Sequence, residues 1–314
     1  MDLYNYAYDL VRQIPSGKIS TYGAVARALG DIRASRAVGR MMNQNPDADT
    51  MPCFKIVQSD GHIGGFGLGI EDKIHRLQND GINVDDGCIK DFDEVLFDDF
   101  KTEYPLKKLR QEQINLSKKL DFQNLISEKE VKYIAGFDVA YRFHDDWKES
   151  CGACVLMDYK TGEIVEQQTV FFETLFPYIP TFLSFREQPF IEKLIQKLKH
   201  APSLLLIDGN GLLHPYQFGL ACHIGASLKT PSIGVAKNLL CGTKQNNNII
   251  YDNKILGYAF YANKRVKKPV YISSGNKISL KTAVSIVKKI SSYKQPEPLR
   301  RAHILATTKL RKHQ

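Results

Sequence analysis

The chain of 314 residues lacks a long hydrophobic run. Without about 18 consecutive uncharged apolar residues, no segment is expected to span a membrane. The first eleven residues contain Asp2 and Asp9 but no basic region ahead of an apolar one, so no signal peptide is expected. Six cysteines are too few in a chain of this length for a disulfide framework, which favours a reducing, cytoplasmic setting.

Apolar residues make up 43% of the chain and charged residues 25%, a composition that excludes a disordered or fibrous protein. The net charge of +9 is unevenly distributed. Residues 1–92 contain 10 Lys+Arg and 12 Asp+Glu, residues 93–103 contain 1 and 5, and residues 104–314 contain 32 and 17. A basic region of this size suggests a polyanionic partner, although a solvated lysine surface would have the same composition.

An acidic stretch at residues 91–101 is the clearest boundary, because it separates regions of different charge and has no strong helical period. We therefore expect two domains, residues 1–90 and 104–314, joined by an acidic linker at 91–103. The linker need not be flexible, since its phenylalanines can pack on a neighbour.

Residues 1–90 are expected to be mainly α-helical. A helix is predicted over 4–14, and Pro15-Ser-Gly-Lys18 forms a turn after it. Thr21 can cap a second helix that runs to Leu29, and Ser35 can cap a third over 36–42. Two short helices separated by a tight turn are typical of a helix-turn-helix.

Residues 104–314 alternate between predicted strands and helices, which is typical of an α/β fold around a mixed sheet. The predicted strands are 132–140, 153–157, 163–172, 203–208 and 232–236, and the predicted helices are 188–199, 218–228 and 282–291.

Four motifs in residues 14–57 surround one cysteine. In order they are Ile14-Pro-Ser-Gly-Lys-Ile-Ser-Thr-Tyr-Gly23, Arg36-Ala-Val-Gly-Arg40, Asn45-Pro46 and Pro52-Cys53-Phe54-Lys55-Ile56-Val57. Together they resemble the C-terminal domain of O(6)-alkylguanine-DNA alkyltransferases and the alkyltransferase-like proteins, over about residues 3–85. The resemblance implies that the damaged base leaves the stack. It also implies four roles: Tyr22 pushes the phosphate of that nucleotide, Arg36 fills the gap in the duplex, Asn45 shapes the turn and Cys53 accepts the alkyl group.

The family's Pro-Cys-His-Arg motif is altered here, because Phe54 and Lys55 replace the histidine and the arginine. Asp80 falls where the family has a glutamate that polarises a histidine–water–cysteine relay. A thiol with an ordinary pKa near 8.5 is only about 3% ionised at pH 7, so transfer is slow unless Lys55 or a helix N-terminus lowers that pKa. Alkyltransferase-like proteins lack the cysteine, so its presence favours transfer. The alternative is a non-catalytic damage-binding module with Cys53 as a buried apolar residue.

Three acidic residues stand at or beside the ends of predicted elements. Asp138 follows an apolar run, Asp208 ends a leucine-rich strand and Glu187 precedes a predicted helix. Burying a carboxylate is costly unless a partner compensates its charge. Their hard oxygen atoms suit Mg²⁺ or Mn²⁺, which can generate hydroxide and neutralise charge on a phosphodiester. A helix cap or an ion pair is the alternative for any one of the three.

The same acids lie in motifs that resemble endonuclease V from about residue 104 to the C-terminus. The motifs are Ile134-Ala-Gly-Phe-Asp138-Val-Ala-Tyr141, Pro177-Tyr-Ile-Pro180, Leu183-Ser-Phe-Arg-Glu187, Leu206-Ile-Asp208-Gly-Asn-Gly211, His214-Pro215, Gly219-Leu-Ala-Cys-His223, Ile233-Gly-Val-Ala-Lys237 and Pro298-Leu-Arg-Arg-Ala-His303.

The resemblance implies a ribonuclease H-like sheet in which Asp138, Glu187 and Asp208 bind the metal. His214 would orient water or substrate, and Lys237 would hold the scissile phosphate.

The resemblance also implies the residues that recognise the damaged base. Tyr178, stiffened by flanking prolines, would wedge into the strand, and a flipped hypoxanthine would be read near Leu183 and Gly209. Thr181 and Asn210 stand where the family has glycine and histidine, which puts the selectivity among deaminated bases in question.

The two resemblances imply a bifunctional DNA-repair protein that acts on double-stranded DNA containing O(6)-alkylguanine or deoxyinosine. The nuclease would nick on the 3′ side of the lesion with Mg²⁺. An inosine-specific ribonuclease is the alternative. Zinc is not expected, because Cys151-Gly-Ala-Cys154 has no second pair at a suitable spacing.

Overall fold

The computed structural model describes residues 1–45, 47–144, 147–263 and 266–313, so Pro46 of the predicted Asn45-Pro46 motif lies outside the described residues. The chain divides into two compact units. Unit 1 contains Met1–Gln111, His144 and Leu175–Phe182. Unit 2 contains Glu112–Phe143, Trp147–Thr174 and residues 183–313.

Unit 1 is mainly α-helical, as predicted. Its elements are α1 (Leu3–Val11), β1 (Ser20–Thr21), α2 (Tyr22–Leu29), α3 (Ser35–Asn43), β2 (Ile56–Val57), α4 (Ile70–Asn79), β3 (Val84–Asp85), β4 (Cys88–Ile89) and α5 (Phe92–Val95), and α6 (Pro105–Ser117) begins in it.

The predicted helix-turn-helix is present as α2 and α3. Thr21 caps α2 by accepting a hydrogen bond from the Ala24 amide at 3.0 Å, and Gly30 ends it in the left-handed region at φ 109°. The prediction that Ser35 caps the next helix is wrong. Ser35 lies inside α3, because a 3₁₀ turn at Ile32–Ala34 precedes it and its hydroxyl donates to the Ile32 carbonyl.

The acidic stretch packs within unit 1. Phe92, Val95 and Leu96 contact a cluster of buried side chains that includes Ile19 and Val57. The chain is also tied by its backbone, because the Phe97 amide donates to the Ile19 carbonyl at 2.7 Å. Its apolar side chains therefore fix a segment whose acidic side chains remain at the surface.

Unit 2 is built on a nine-stranded mixed sheet with the strand order β10-β11-β12-β13-β9-β8-β5-β6-β7. Its strands are β5 (Tyr133–His144), β6 (Trp147–Asp158), β7 (Ile164–Glu173), β8 (Leu204–Ile207), β9 (Ser232–Ala236), β10 (Thr243–Gln245), β11 (Asn248–Tyr251), β12 (Lys254–Phe260) and β13 (Val270–Ser274). Its helices, besides the end of α6, are α7 (Leu183–Lys197), α8 (Leu220–Ser227), α9 (Leu280–Lys289) and α10 (Glu297–Lys312). The predicted α/β fold with a mixed sheet is confirmed.

Helices cover both faces of the central strands. Leu205 and Ile207 of β8 pack against α7 and α8 on one face, whereas Leu204 and Leu206 pack against α9 on the other. A strand buried on both faces requires a continuous apolar run, which residues 204–207 provide. No helix in the described part of the chain is long and apolar enough to cross a membrane.

Gly136 allows α10 to approach the sheet closely. A Cβ atom added at Gly136 in β5 would lie 2.5 Å from the carbonyl carbon of Pro298 in α10. Because real Cβ atoms do not come that close to backbone, only glycine permits this packing. The close approach fixes the position of the residues that follow Pro298 on α10.

We expect the Gly136→Ala substitution to destabilise unit 2 by about 1–3 kcal/mol, since α10 must move away from β5. Gly67→Ala is the matched control, because a Cβ atom there meets nothing within 4 Å. Chemical denaturation of both variants measures the difference. Equal stability of the two variants would show that α10 is not held through this contact.

Candidate active sites

The thiol of Cys53 is held by a neighbouring amide. Cys53 begins a 3₁₀ turn after Pro52 and is buried, and the Asn45 side-chain amide donates to its sulfur at 3.2 Å. The same amide nitrogen lies within hydrogen-bonding distance of the carbonyl oxygens of Asp47 and Met51. Asn45 therefore both closes the turn and presents a donor to the thiol.

A cavity of about 310 Å³ opens onto Cys53. It is lined by Tyr22, Gly39, Met42, Asn43, Cys53, Gly65, Phe66 and Gly67. The predicted site residues Tyr22 and Cys53 therefore share one pocket, beside the exposed Arg36 of α3. Gly39 faces Tyr22, whereas Ala37 on the same helix is buried in the core.

Burial dominates the ionisation of Cys53. It raises the thiol pKa, and the Asn45 hydrogen bond and the charges of Lys73 and Arg76 oppose this only in part. Lys73 is itself buried, donates to the carbonyl groups of Ile56 at 2.6 Å and of Ile63, and has its pKa lowered by burial to about 8. The cations that act on Cys53 are therefore Lys73 and Arg76, which the sequence did not indicate.

Phe54 and Lys55, which stand where the family has histidine and arginine, do not contact the Cys53 thiol through any described hydrogen bond or ion pair. Phe54 packs into the apolar cluster of unit 1. The Lys55 ammonium lies 2.8 Å from the Asp80 carboxylate and donates to the Pro15 carbonyl, and Asp80 also accepts from Ser16. Lys55 and Asp80 thus form a partly buried ion pair that ties turns together.

Two of the three predicted carboxylates lie side by side on adjacent strands. Phe137 of β5 pairs with Ile207 of β8 in parallel register, so Asp138 and Asp208, one residue further along each strand, occupy the same row. Glu187 lies within the second turn of α7, which begins five residues earlier than predicted, and not ahead of the helix. The structure brings all three acids within electrostatic range of one another.

Burial and the neighbouring carboxylates oppose the ionisation of Glu187 and Asp138. Burial and repulsion by Asp138 and Asp208 raise the pKa of Glu187 to about 8. Burial, together with a hydrogen bond and repulsion from Asp208, also raises the pKa of Asp138. Burial lowers the pKa of Lys237, but the carboxylates outweigh this effect and raise it, and its ammonium lies 2.5 Å from Asp208. The site therefore has an excess of carboxylates that calls for a cation.

Three further residues support the acids. The ring of His303 on α10 contacts Asp138 at 2.9 Å through Nδ1. Tyr141 donates from its hydroxyl to Glu187 at 3.2 Å, and the guanidinium of Arg186 lies 3.8 Å from the centre of the Tyr141 ring. Sequence reasoning placed His303 and Tyr141 in motifs but gave them no role, because their partners lie 165 and 46 residues away along the chain.

The remaining predicted residues are distributed over both units. His214 is buried and accepts from the Tyr216 amide at 3.3 Å through Nδ1. Leu183 begins α7, and Gly209 directly follows Asp208 and packs on Leu220. These residues belong to unit 2.

Tyr178 belongs to unit 1 and is 47% exposed. Thr181, three residues later, adopts a left-handed backbone at φ 70°, where glycine would be unstrained. The guanidinium of Arg110 donates to the Thr181 hydroxyl, lies 4.1 Å from the centre of the Phe182 ring and stands 3.7 Å from Asp31. Arg110 thus anchors the end of the Tyr178 segment.

The carboxylates fit a hard divalent cation by chemistry and by charge. Among the described residues, no three His, Cys, Asp or Glu side chains already stand in ligating geometry. Asp138, Glu187 and Asp208 nevertheless supply oxygen donors, and burial together with mutual repulsion raises the carboxyl pKa values of Asp138 and Glu187.

Two family models divide the chain between them. One, described as endonuclease V, matches residues 114–304, and another, described as the 6-O-methylguanine DNA methyltransferase DNA-binding domain, matches residues 2–82. A bifunctional methyltransferase/endonuclease of Picrophilus torridus is 39% identical over 303 residues, which cover 96% of this chain and 95% of the relative. A protein of the same name from Thermoplasma volcanium is 39% identical over 306 residues, 97% of this chain and 89% of the relative.

Solved structures resemble the nuclease part. Endonuclease V of Streptomyces avermitilis has a TM-score of 0.61 at 30% identity, covering 66% of this chain and 93% of that one. Endonuclease V of Ciona intestinalis, solved with a 24mer DNA containing an inosine followed by a ribo-adenosine, has a TM-score of 0.61 at 29% identity, with 67% and 99% covered. Endonuclease V enzymes are generally metal-dependent. The chain belongs to the endonuclease V family and, over nearly its whole length, to the bifunctional methyltransferase/endonucleases.

Proposed function

We propose that the protein repairs two kinds of DNA damage, by accepting the alkyl group of O(6)-alkylguanine on Cys53 and by nicking DNA on the 3′ side of deoxyinosine with Mg²⁺. The observation that carries the nuclease is the parallel row that sets Asp138 beside Asp208, with Glu187 and Lys237 against them. The division into domains at residues 91–103 stays a prediction.

Alkyl transfer requires the Cys53 thiolate. The sulfur attacks the alkyl carbon, the bond from that carbon to O6 breaks, and guanine gains the proton that balances the one lost by the thiol. With Phe54 packed against the apolar cluster of unit 1, the Asn45 amide is the group in contact with the sulfur that stabilises its anion. Tyr22 and Gly39 line the space that the extruded base would occupy.

For the nuclease, Asp138, Glu187 and Asp208 would hold Mg²⁺, which supplies an activated water and neutralises charge on the phosphate when bound. Water adds to phosphorus and the bond to the 3′ oxygen breaks. Lys237, whose ammonium contacts Asp208, would bind a non-bridging phosphate oxygen. His303 orients Asp138, and Tyr141 orients Glu187, by hydrogen bonds to one oxygen of each carboxylate.

We expect alkyl transfer to accelerate with pH beyond the ordinary range of a thiol, because burial raises the Cys53 pKa. Single-turnover incubation with a duplex carrying radiolabelled O(6)-methylguanine measures this. Asn45→Ala should slow transfer at pH 7.5 by about tenfold or more, because a hydrogen bond to a charged group contributes about 1.5–3 kcal/mol. At high pH the two rates should converge, which damage to the turn alone would not produce.

Cys53→Ala should abolish the transfer of label, whereas Cys88→Ala, the other cysteine of residues 1–111, should retain it. Lesion-dependent binding without transfer to the native chain would make the first unit a damage-binding module.

Asp138→Asn should abolish nicking and yet stabilise the metal-free protein. The folded-state pKa of Asp138 is raised, so ionisation above the ordinary carboxyl pKa costs folding free energy and metal-free stability falls as pH rises through the raised value. At pH 8 we expect the melting temperature of Asp138→Asn to exceed that of the native chain by about 2–4 °C for each kcal/mol of folding free energy that the substitution recovers. Adding Mg²⁺ should raise the melting temperature of the native chain and of the exposed-site control Glu163→Gln, but not that of Asp138→Asn.

Tyr178 is proposed as the wedge that takes the place of the flipped base. Arg110→Ala should then lower kcat/KM for deoxyinosine nicking by about tenfold, since the segment ending in Thr181 and Phe182 loses its anchor. Lys108→Ala is the matched control, an exposed cation on the same helix. Unchanged nicking by Arg110→Ala would show that this anchor does not serve the nuclease.

RNA is the second candidate substrate, because the Ciona intestinalis enzyme was solved with an inosine followed by a ribo-adenosine. The comparison is between two inosine duplexes that differ only in the sugar after the lesion. Equal cleavage of both favours the DNA assignment, and cleavage only next to the ribose favours the ribonuclease.

A further inference from the structure

The sheet of unit 2 extends well beyond the strands that carry the acids. β12 runs antiparallel to β13, and β13 runs antiparallel to β9, so β12 and β9 point the same way. β9 is in turn parallel to β8, which ends one residue before Asp208. The carboxyl end of β12 therefore lies at the edge of the sheet that carries the nuclease residues.

The register gives the distance along this edge. Tyr271 of β13 pairs with Ala236 on one side and with Ala259 on the other. Ala236, Tyr271 and Ala259 therefore form one row across the three strands. Lys237 lies one residue beyond this row on the β9 side, and Tyr261 lies two residues beyond it on the β12 side. Two strand spacings place their backbones about 10 Å apart.

Tyr261 carries a basic partner at this edge. The Lys244 ammonium donates to the Tyr261 hydroxyl at 3.0 Å and lies 5.0 Å from the centre of its ring. Lys244 is exposed and Tyr261 is 37% exposed. The connection from β12 to β13 adds two exposed lysines, Lys267 and Lys268, at the same end of the strands.

Acidic residues are absent from this part of the sequence except at the opposite end of β12. From residue 243 to 272 the one acidic residue is Asp252, in the turn before Lys254. A cationic edge of this kind is the usual contact for phosphate oxygens, and a tyrosine hydroxyl adds a donor to them. Because the neighbouring nuclease residues act on a phosphodiester, the same strand can continue along this edge.

We propose that Lys244, Tyr261, Lys267 and Lys268, together termed the basic edge, bind the DNA backbone outside the cleavage site. At a rise of about 3.4 Å per nucleotide, 10 Å corresponds to a phosphate about three nucleotides from the scissile one. This inference rests on the proposed nuclease function and extends its DNA footprint. The basic edge secures the flank of the substrate and has no part in the chemical step.

The test compares Lys244→Ala with Lys254→Ala, which removes an exposed lysine at the other end of β12. With full-length protein and Mg²⁺, Lys244→Ala should raise KM for a deoxyinosine duplex about three- to tenfold and leave kcat within twofold. The slope of log binding constant against log salt should fall by about one for Lys244→Ala and about two for the Lys267→Ala/Lys268→Ala double variant. Lys254→Ala should match the native chain.

Substrate length supplies a second readout. The duplex is shortened first on one side of the lesion and then on the other. On one side only, shortening should lower the affinity of the native chain to the affinity that Lys244→Ala has for the full duplex. On that side, shortening should lower the affinity of Lys244→Ala little further. Equal losses for Lys244→Ala and Lys254→Ala, or an unchanged salt slope, would overturn the basic edge. If the native chain showed no metal-dependent nicking, the proposed function would be overturned instead. The two failures can be told apart, because the salt slope is measured by DNA binding and does not require nicking.

Discussion

Electrostatic repulsion among Asp138, Glu187 and Asp208 is the constraint on which the arrangement of unit 2 depends. Two parallel strands and a helix converge on one point, where burial and then repulsion raise the pKa values of Asp138 and Glu187. Folding must hold these groups together at a cost, so the sheet around them is covered on both faces and α10 is packed tightly at Gly136. The repulsion that opposes folding is what makes the site selective for a cation.

The sequence predicted the parts of this arrangement that follow from local pattern. The apolar run ending at Asp208 and the motif around Asp138 indicated two strand ends, and parallel pairing then made them neighbours. It could not reveal His303 or Tyr141 as partners, because no local pattern specifies contacts across the fold. The start of α7 lies five residues before the predicted one, and Pro189 stands within the helix. The short strands β10 to β12 carry mixed polar residues with weak periodicity, and they were not predicted.

In unit 1 the motifs predicted the helices but not the surroundings of the residues that would carry the chemistry. The start of α2 follows from its capping residue Thr21, whereas the role of Asn45 in the turn beside Cys53 came from the family resemblance. The altered Phe54-Lys55 pair indicated a missing relay but not where its side chains go. Only the packed structure shows Phe54 in an apolar cluster, Lys55 paired with Asp80 and Lys73 as a buried cation. Burial is a property of tertiary structure, and so is the direction in which it moves a pKa.

The units are compact but not consecutive in the chain. Leu175–Phe182 folds with residues from the first third of the sequence, and the Leu3 amide donates to the Leu175 carbonyl at 3.0 Å. One proteolytic cut in the acidic stretch would therefore leave the first fragment without Leu175–Phe182, which belongs to its unit, whereas every residue of unit 2 would stay in the second fragment. If the gene were split at that point, the first fragment would need substitutions at the surface that Leu175–Phe182 covers. Such a chain persists most readily as a single polypeptide.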